Sequence, residues 1–359
     1  MPELVVLTEQ LLAPVPGGTG RYTRELVAAM ALNAPAGWTI TGVSARHRAA
    51  ARIPGVEAAR MLPLPRKALV AAWEHGVKLW PGGNAVHAPT PLAPPSAKRG
   101  TNLVVTIHDT VPFTHPETLT QRGVKWHQAM IRRAANQASA IVVPTAAVAA
   151  ELTQYAPGAA RVHVIGHGVP EAVLRAPQNA DAIAHRLNLP PTYVLALGTV
   201  EPRKGLDVLV AAMRKPTAPN LPLVIAGPQG WGEVDLGDAR VLGRLTDEEL
   251  AVVLQRATVL AAPSMAEGFG LPVLEAMAVG VPVVHSDAPA LVEVAGGTGV
   301  LARRNDPASL ACALRSVLES PEHTADLVAA AKARAARFTW AKAAEAVWKL
   351  HLELYHGAR

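Results

Sequence analysis

The sequence predicts an α/β protein of two parallel-sheet domains, each with helices on both faces of its sheet. Three observations carry that expectation. Short apolar runs alternate with longer helical stretches from end to end, the rhythm of repeated strand–helix units. The rhythm breaks over 169–191, where Pro170, Pro177, Pro190 and Pro191 separate a closing strand pattern from an opening one. The length of 359 residues suits two domains of ordinary size better than one.

In chain order, Leu4–Leu7 reads as a strand, Arg21–Leu32 as a helix behind a glycine-rich turn, and Trp38–Val43 as the next strand. Asn84–His87, Leu103–His108, Ala140–Val143 and Val162–Ile165 supply the remaining strands of the first half. Tyr193–Leu197, Leu223–Ala226, Ala257–Ala261 and Val281–Val284 continue the pattern in the second. From Arg66 onward a helical pattern sets Leu69, Val70, Trp73, Val77 and Trp80 on one broad face, with Arg66, Lys67 and Lys78 near its ends. Packing on the N-terminal sheet is the leading use of that face. A peripheral contact with an anionic membrane is the alternative, since Trp and Lys/Arg flank the apolar stripe. Ala341–Tyr355, behind Phe338-Thr339-Trp340, reads as a long amphipathic helix. The expected domains are 1–175 and 176–338, with 339–359 a helix that packs back toward the first.

Half the residues are hydrophobic and 17% are charged, which excludes a disordered chain. The single Cys312 excludes a disulfide framework and a multi-cysteine metal site, and suits a reducing compartment. No uncharged apolar run is long enough to span a membrane. The N-terminal stretch carries Glu3 and Glu9 and no Lys or Arg before Arg21, opposite to a secretory signal. A cytoplasmic location is therefore expected, with the inner face of the membrane as the peripheral alternative. The net charge of +6 is uneven: 1–180 hold 17 Lys and Arg against 9 Asp and Glu, while 181–359 hold 17 against 19. The basic half suits an anionic partner or is a solvated surface. Nucleic acid is set aside, because aromatic residues make up only 4% of the chain and are too scattered for a base-stacking platform.

Four clusters have the residue types that chemistry needs. Gly17-Gly18-Thr19-Gly20 stands before a helix, where glycines let backbone approach a ligand and the helix start favours an anion; a plain strand–helix turn explains it equally. His108 and Asp109 follow an apolar strand, at the strand end where open α/β sheets bind ligands, although a lone His there is often structural; His87 follows another strand. Arg203 and Lys204, in Glu201-Pro202-Arg203-Lys204-Gly205, suit a diphosphate or form an exposed pair on a loop. The fourth runs from Pro263 to Gly280, with Glu267 in a loop and Glu275 on the following helix. Pro272 suits its first turn and Gly280 its end. Carboxylates at those two places accept hydrogen bonds from hydroxyls of one ligand.

Taken together these clusters resemble family 4 of the glycosyltransferases, retaining enzymes of the GT-B fold, with mannosyltransferase-like features. Glu267 and Glu275 match its E-x7-E element, and the likeness extends to the Gly227-Pro228-Gln229-Gly230-Trp231 turn and Phe338-Thr339-Trp340. It implies two Rossmann-like domains facing across a cleft, and a nucleotide-sugar donor held by the second. By that likeness Arg203 and Lys204 hold the diphosphate and Glu267 the sugar hydroxyls. Gly268, Phe269, Gly270 and Leu271 lie near sugar and phosphate, Glu275 holds the ribose, and Leu245 flanks the base. Gly17 and Gly18 approach the diphosphate, and His108 sits by the donor sugar as a positioning hydrogen-bonder. The expected donor is GDP-mannose, with UDP-sugars behind it, and the expected acceptor is a glycan, lipid-linked or small molecule. A non-catalytic nucleotide-sugar binder is the alternative class. The chain has no Asp-x-Asp, so no metal and no cofactor is expected.

Overall fold

The computed structural model describes residues 1–56 and 58–357. The chain forms two units, 1–168 with the segment from 339 onward, and 169–338. The first holds a seven-stranded sheet of β1 (Glu3–Leu7), β2 (Thr39–Arg46), β3 (Ala58–Pro65), β4 (Ala85–Ala88), β5 (Asn102–Thr106), β6 (Ala140–Val143) and β7 (Arg161–Val164), in the order β3-β2-β1-β4-β5-β6-β7. Every pairing is parallel. β4, β5 and β6 are buried at every residue, as a sheet covered on both faces requires.

The second unit holds β8 (Val194–Leu197), β9 (Leu223–Ala226), β10 (Arg240–Gly243), β11 (Val259–Ala262), β12 (Val283–Ser286) and β13 (Val300–Ala302). Their order is β10-β9-β8-β11-β12-β13, again parallel throughout. In each sheet the strand order reverses beside its first strand, at β1/β4 and at β8/β11. Such switch points open a crevice at the carboxyl ends of the strands.

The structure adds three strands to those read from the sequence: β3, β10 and β13, each at a sheet edge. It also starts the first helix at Gly17 rather than Arg21, so Gly17 and Gly18 form its first turn. The units divide at 168/169, and the last helix, Trp340–Gly357, belongs to the first unit. There Trp348 Nε1 donates to the Met30 carbonyl at 2.9 Å, tying it to the Gly17–Leu32 helix.

The apolar face considered for a lipid surface is not available as one stripe. The helix from Arg66 ends at Glu74, before Val77 and Trp80. Leu69 and Trp73 are buried in the core of the first unit with Val5, Val86 and Leu103. Half-buried Trp80 packs on that core, while Val77 is exposed. The gain from burying Leu and Trp against the sheet decides their direction. Among the described residues, no helix is long and apolar enough to cross a membrane.

Candidate active site

The strongest constellation stands at the β8/β11 switch point of the second unit. The loop after β8 makes a tight turn, Pro202–Lys204, that ends at Gly205 with φ +62. A Cβ on Gly205 would lie 2.5 Å from the Pro263 carbonyl oxygen, so the residue must be glycine for both reasons. That close approach brings the Arg203-Lys204 turn against the loop after β11, and Met265 N donates to the Arg203 carbonyl at 2.8 Å. The second loop runs into the Leu271–Val279 helix, with Gly270 (φ +92) before it and Gly280 (φ +81) after it, both left-handed.

Five side chains meet there. Lys204 Nζ donates to Glu267 Oε1 at 2.5 Å, and Ser264 Oγ donates to the same oxygen at 2.8 Å. Arg203 Nη1 reaches Glu267 Oε2 at 3.3 Å and the Ala266 carbonyl at 2.9 Å. Arg203 Nη2 donates to Glu201 Oε1 at 2.6 Å. Burial by itself would raise the Glu267 carboxyl. The charges of Lys204 and Arg203, with hydrogen bonds from Lys204 and Ser264, more than reverse this and hold it at about 2. A small, open pocket lies beside the group, lined by Gly198, Thr199, Lys204, Ser264, Glu267 and Gly270 among others.

The structure therefore brings Arg203, Lys204 and Glu267 together, 63 residues and more apart in sequence. Glu275 is buried on the helix that follows, and Phe269 is buried with its ring 5.9 Å from that of Phe338. Gly268 and Gly270 are buried too, while Leu271 is half-buried against the core. Leu245, just beyond β10, is half-buried on the same core. Two members of the cluster were not given roles by the sequence. Glu201 is buried and orients Arg203, and Ser264 shares the Glu267 oxygen with Lys204. Their only signal was adjacency to the basic turn and to Glu267.

In the first unit Gly17 (φ +61) and Gly18 have nothing within 4 Å of where a Cβ would stand, so the helix start is open in front of them. His108 lies two residues past the end of β5, with Nε2 2.7 Å from the Pro89 carbonyl oxygen. That oxygen only accepts, so Nε2 carries the proton. Burial pushes the His108 pKa down, against the pull of the Pro89 contact and Asp109. His87 is structural: it is fully buried, bonded to Thr106 and His351, and lowered to about 3 by burial and by His108. Among the described residues, no three His, Cys, Asp or Glu side chains group as a metal site.

Two family models match the chain, one on each half: "Glycosyltransferase Family 4" over 16–173 and "Glycosyl transferases group 1" over 177–334. The chain is similar to O-antigen chain mannosyltransferase B of Escherichia coli, with 35% identity over 161 residues, 41% of this chain and 42% of that protein. It is similar to glycogen synthase of Mycobacterium tuberculosis, with 32% identity over 278 residues, 72% of this chain and 64% of that protein. Each match thus spans less than two thirds of the relative's length. Among solved structures, sucrose-phosphate synthase from Thermosynechococcus elongatus aligns with a TM-score of 0.80 at 21% identity, over 99% of this chain and 100% of that one. The fold of two parallel-sheet, Rossmann-like domains is thus the GT-B one.

Proposed function

Since the chain belongs to the glycosyltransferases whose family 4 and group 1 models cover its two halves, we propose that it is a retaining, metal-independent hexosyltransferase. It moves mannose from GDP-mannose to a hydroxyl of a glycan, lipid-linked or small-molecule acceptor, in the cytoplasm. The observation that carries the reading is the ionised Glu267 carboxylate gripped by Lys204 and Arg203 at a strand-end pocket. Two cations and one carboxylate, side by side, match the two ends of a sugar diphosphate. The phosphates need positive charge and N–H donors, and the sugar hydroxyls need an acceptor.

In the transfer, the acceptor oxygen bonds to the anomeric carbon on the face from which the diphosphate leaves. The carbon–oxygen bond to phosphate breaks with its electron pair staying on the diphosphate, and the acceptor's proton passes to a leaving phosphate oxygen. Lys204 and Arg203 stabilise the charge that develops on the leaving group, in the place a metal takes elsewhere. Glu267 accepts from sugar hydroxyls, assisted by the amides of Gly268, Phe269, Gly270 and Leu271. Glu275 holds the ribose and Leu245 flanks the base. Gly17 and Gly18 supply first-turn amides for the diphosphate. His108, neutral and fixed by Pro89, positions the donor sugar through its other nitrogen, Nδ1.

Support for mannose comes from the mannosyltransferases among the relatives. A thermal-shift comparison of GDP, GDP-mannose, UDP and ADP tests the reading, since a ligand at a hundredfold its Kd adds about 2.7 kcal/mol of stability. GDP and GDP-mannose are expected to raise Tm most. A larger shift with UDP or ADP would overturn the donor. GDP-mannose that binds but never releases GDP with any acceptor would favour a binding protein instead.

A further inference from the structure

The motif Gly20-Arg21-Tyr22 has a conspicuous member that the donor reading leaves without a task. Tyr22 is 2% exposed, at the second turn of the first helix. Its ring centroid lies 4.6 Å from that of His108, and the two planes meet at 84°, edge to face. Its hydroxyl lies 3.1 Å from Thr106 Oγ1, on the strand that delivers His108. The same ring packs with His167 at 4.7 Å and Trp340 at 5.9 Å. Beyond Thr106 the bonds continue: Thr106 Oγ1 meets His87 Nε2 at 3.2 Å, and His87 Nδ1 meets His351 Nε2 at 3.2 Å. Tyr22 is therefore tethered through its hydroxyl to a buried chain that reaches the last helix.

We propose that Tyr22 is a positioning residue for His108, its ring fixing the tilt of the imidazole while the Thr106 tether fixes the ring. Two supports set the imidazole. Pro89 holds Nε2 and so dictates the tautomer, and the Tyr22 ring blocks rotation about the bonds that carry the imidazole. The result is one orientation in which Nδ1 has the lone pair and can only accept a hydrogen bond. Asp109, His87 and His167 are the other titratable groups around His108. Edge-to-face aromatic contact is directional, so an aliphatic side chain of similar bulk does not replace it. The inference rests on the reading of His108 as a donor-sugar contact for its effect on turnover, but not for its effect on the imidazole.

The test separates the two. In protein labelled with 15N-histidine, the His108 nitrogens are assigned by their loss in His108→Asn. In the native chain at pH 8 they should show one tautomer, protonated at Nε2. Tyr22→Leu should mix the tautomers or raise the His108 pKa above its native value, and should lower kcat about 10- to 100-fold with donor KM within about twofold, as for a misplaced reacting group. Tyr22→Phe keeps the ring and loses the tether. It should shift the His108 signals measurably and lower kcat about two- to tenfold, the range for one neutral hydrogen bond. His108 nitrogens identical to the native ones in Tyr22→Phe, and in Tyr22→Leu where that folds, overturn the positioning role. Altered nitrogens with native kcat uphold it and overturn the donor-sugar role of His108 instead.

Discussion

Replacing Glu267 by Gln keeps the shape of the side chain and removes its charge. In the native chain the carboxyl sits at about 2 against an ordinary 4.5, which at about 1.4 kcal/mol per pH unit makes its ionised form worth about 3 kcal/mol to folding. The group is mostly buried, with 12% of its side chain exposed, so solvent screens little of that. The folded pKa is depressed, so the contribution is complete above pH 4.5 and is lost as pH falls toward 2. Urea unfolding followed by circular dichroism should show Glu267→Gln about 3 kcal/mol less stable at pH 7, with the gap shrinking to about half by pH 3. Function should divide in a characteristic way. Turnover should fall about 10- to 100-fold, because a hydrogen bond to a charged acceptor is lost from the sugar. Affinity for the free nucleoside diphosphate should hold or rise, because Lys204 no longer has a carboxylate competing with phosphate for its protons. A stability gap below about 1 kcal/mol at pH 7, or one that does not narrow with acid, would refute the electrostatic account. Equal losses in turnover and diphosphate affinity would refute the assignment of Glu267 to the sugar.

Lys204→Ala should weaken nucleoside diphosphate binding about 10- to 100-fold and monophosphate binding much less, measured by calorimetry; equal losses would place Lys204 away from the second phosphate. Gly205→Ala forces a left-handed Ala at φ +62 with its Cβ 2.5 Å from Pro263 O, and should cost at least about 1–2 kcal/mol, seen as a Tm lower by several degrees together with reduced turnover. Activity in excess EDTA should match that in added Mg2+ or Mn2+, since Lys204 and Arg203 supply the positive charge; a strict divalent requirement would overturn the metal-independent reading.

The fold was legible in the fully buried strands and in the edge strand β7, whose run still reads as a strand although none of its residues is fully buried, and obscure at the other three edge strands. β4, β5 and β6 are buried at every residue, and each reads as an apolar run. β10 has an exposed Val241 and no fully buried residue, and β13 is three residues long with Leu301 exposed. An edge strand has one neighbour and a wet side, so little in its composition is compelled to be apolar. β3 is harder still, because Pro63 and Pro65 argue against a strand interior; its edge position is what tolerates them. The helix start at Gly17 was hidden for a different reason. Glycine and threonine are weak helix formers, and the run became helical in pattern only at Arg21.

The candidate site divides along the same physical line between local and distant. Glu267 and Glu275 lie within one loop and helix, so their spacing is a property of a single stretch of chain and shows in the sequence. The purpose of that spacing depends on partners elsewhere. Lys204 meets Glu267 across 63 residues, Tyr22 meets Thr106 across 84, and His87 meets His351 across 264. Glu201 shows the point most sharply. It is two residues from Arg203 and has no role legible in the sequence, yet it is buried and accepts a hydrogen bond from the Arg203 guanidinium. A buried carboxylate is costly when left unpaired, so Arg203 offsets that cost for Glu201 and Glu267, and the cation is held still by having carboxylates on two sides. Arg203 therefore spends hydrogen bonds on Glu201, Ala266 and Glu267, which leaves it suited to orienting the site, while Lys204, with one described bond among three donors, is the better placed of the two to turn toward a phosphate.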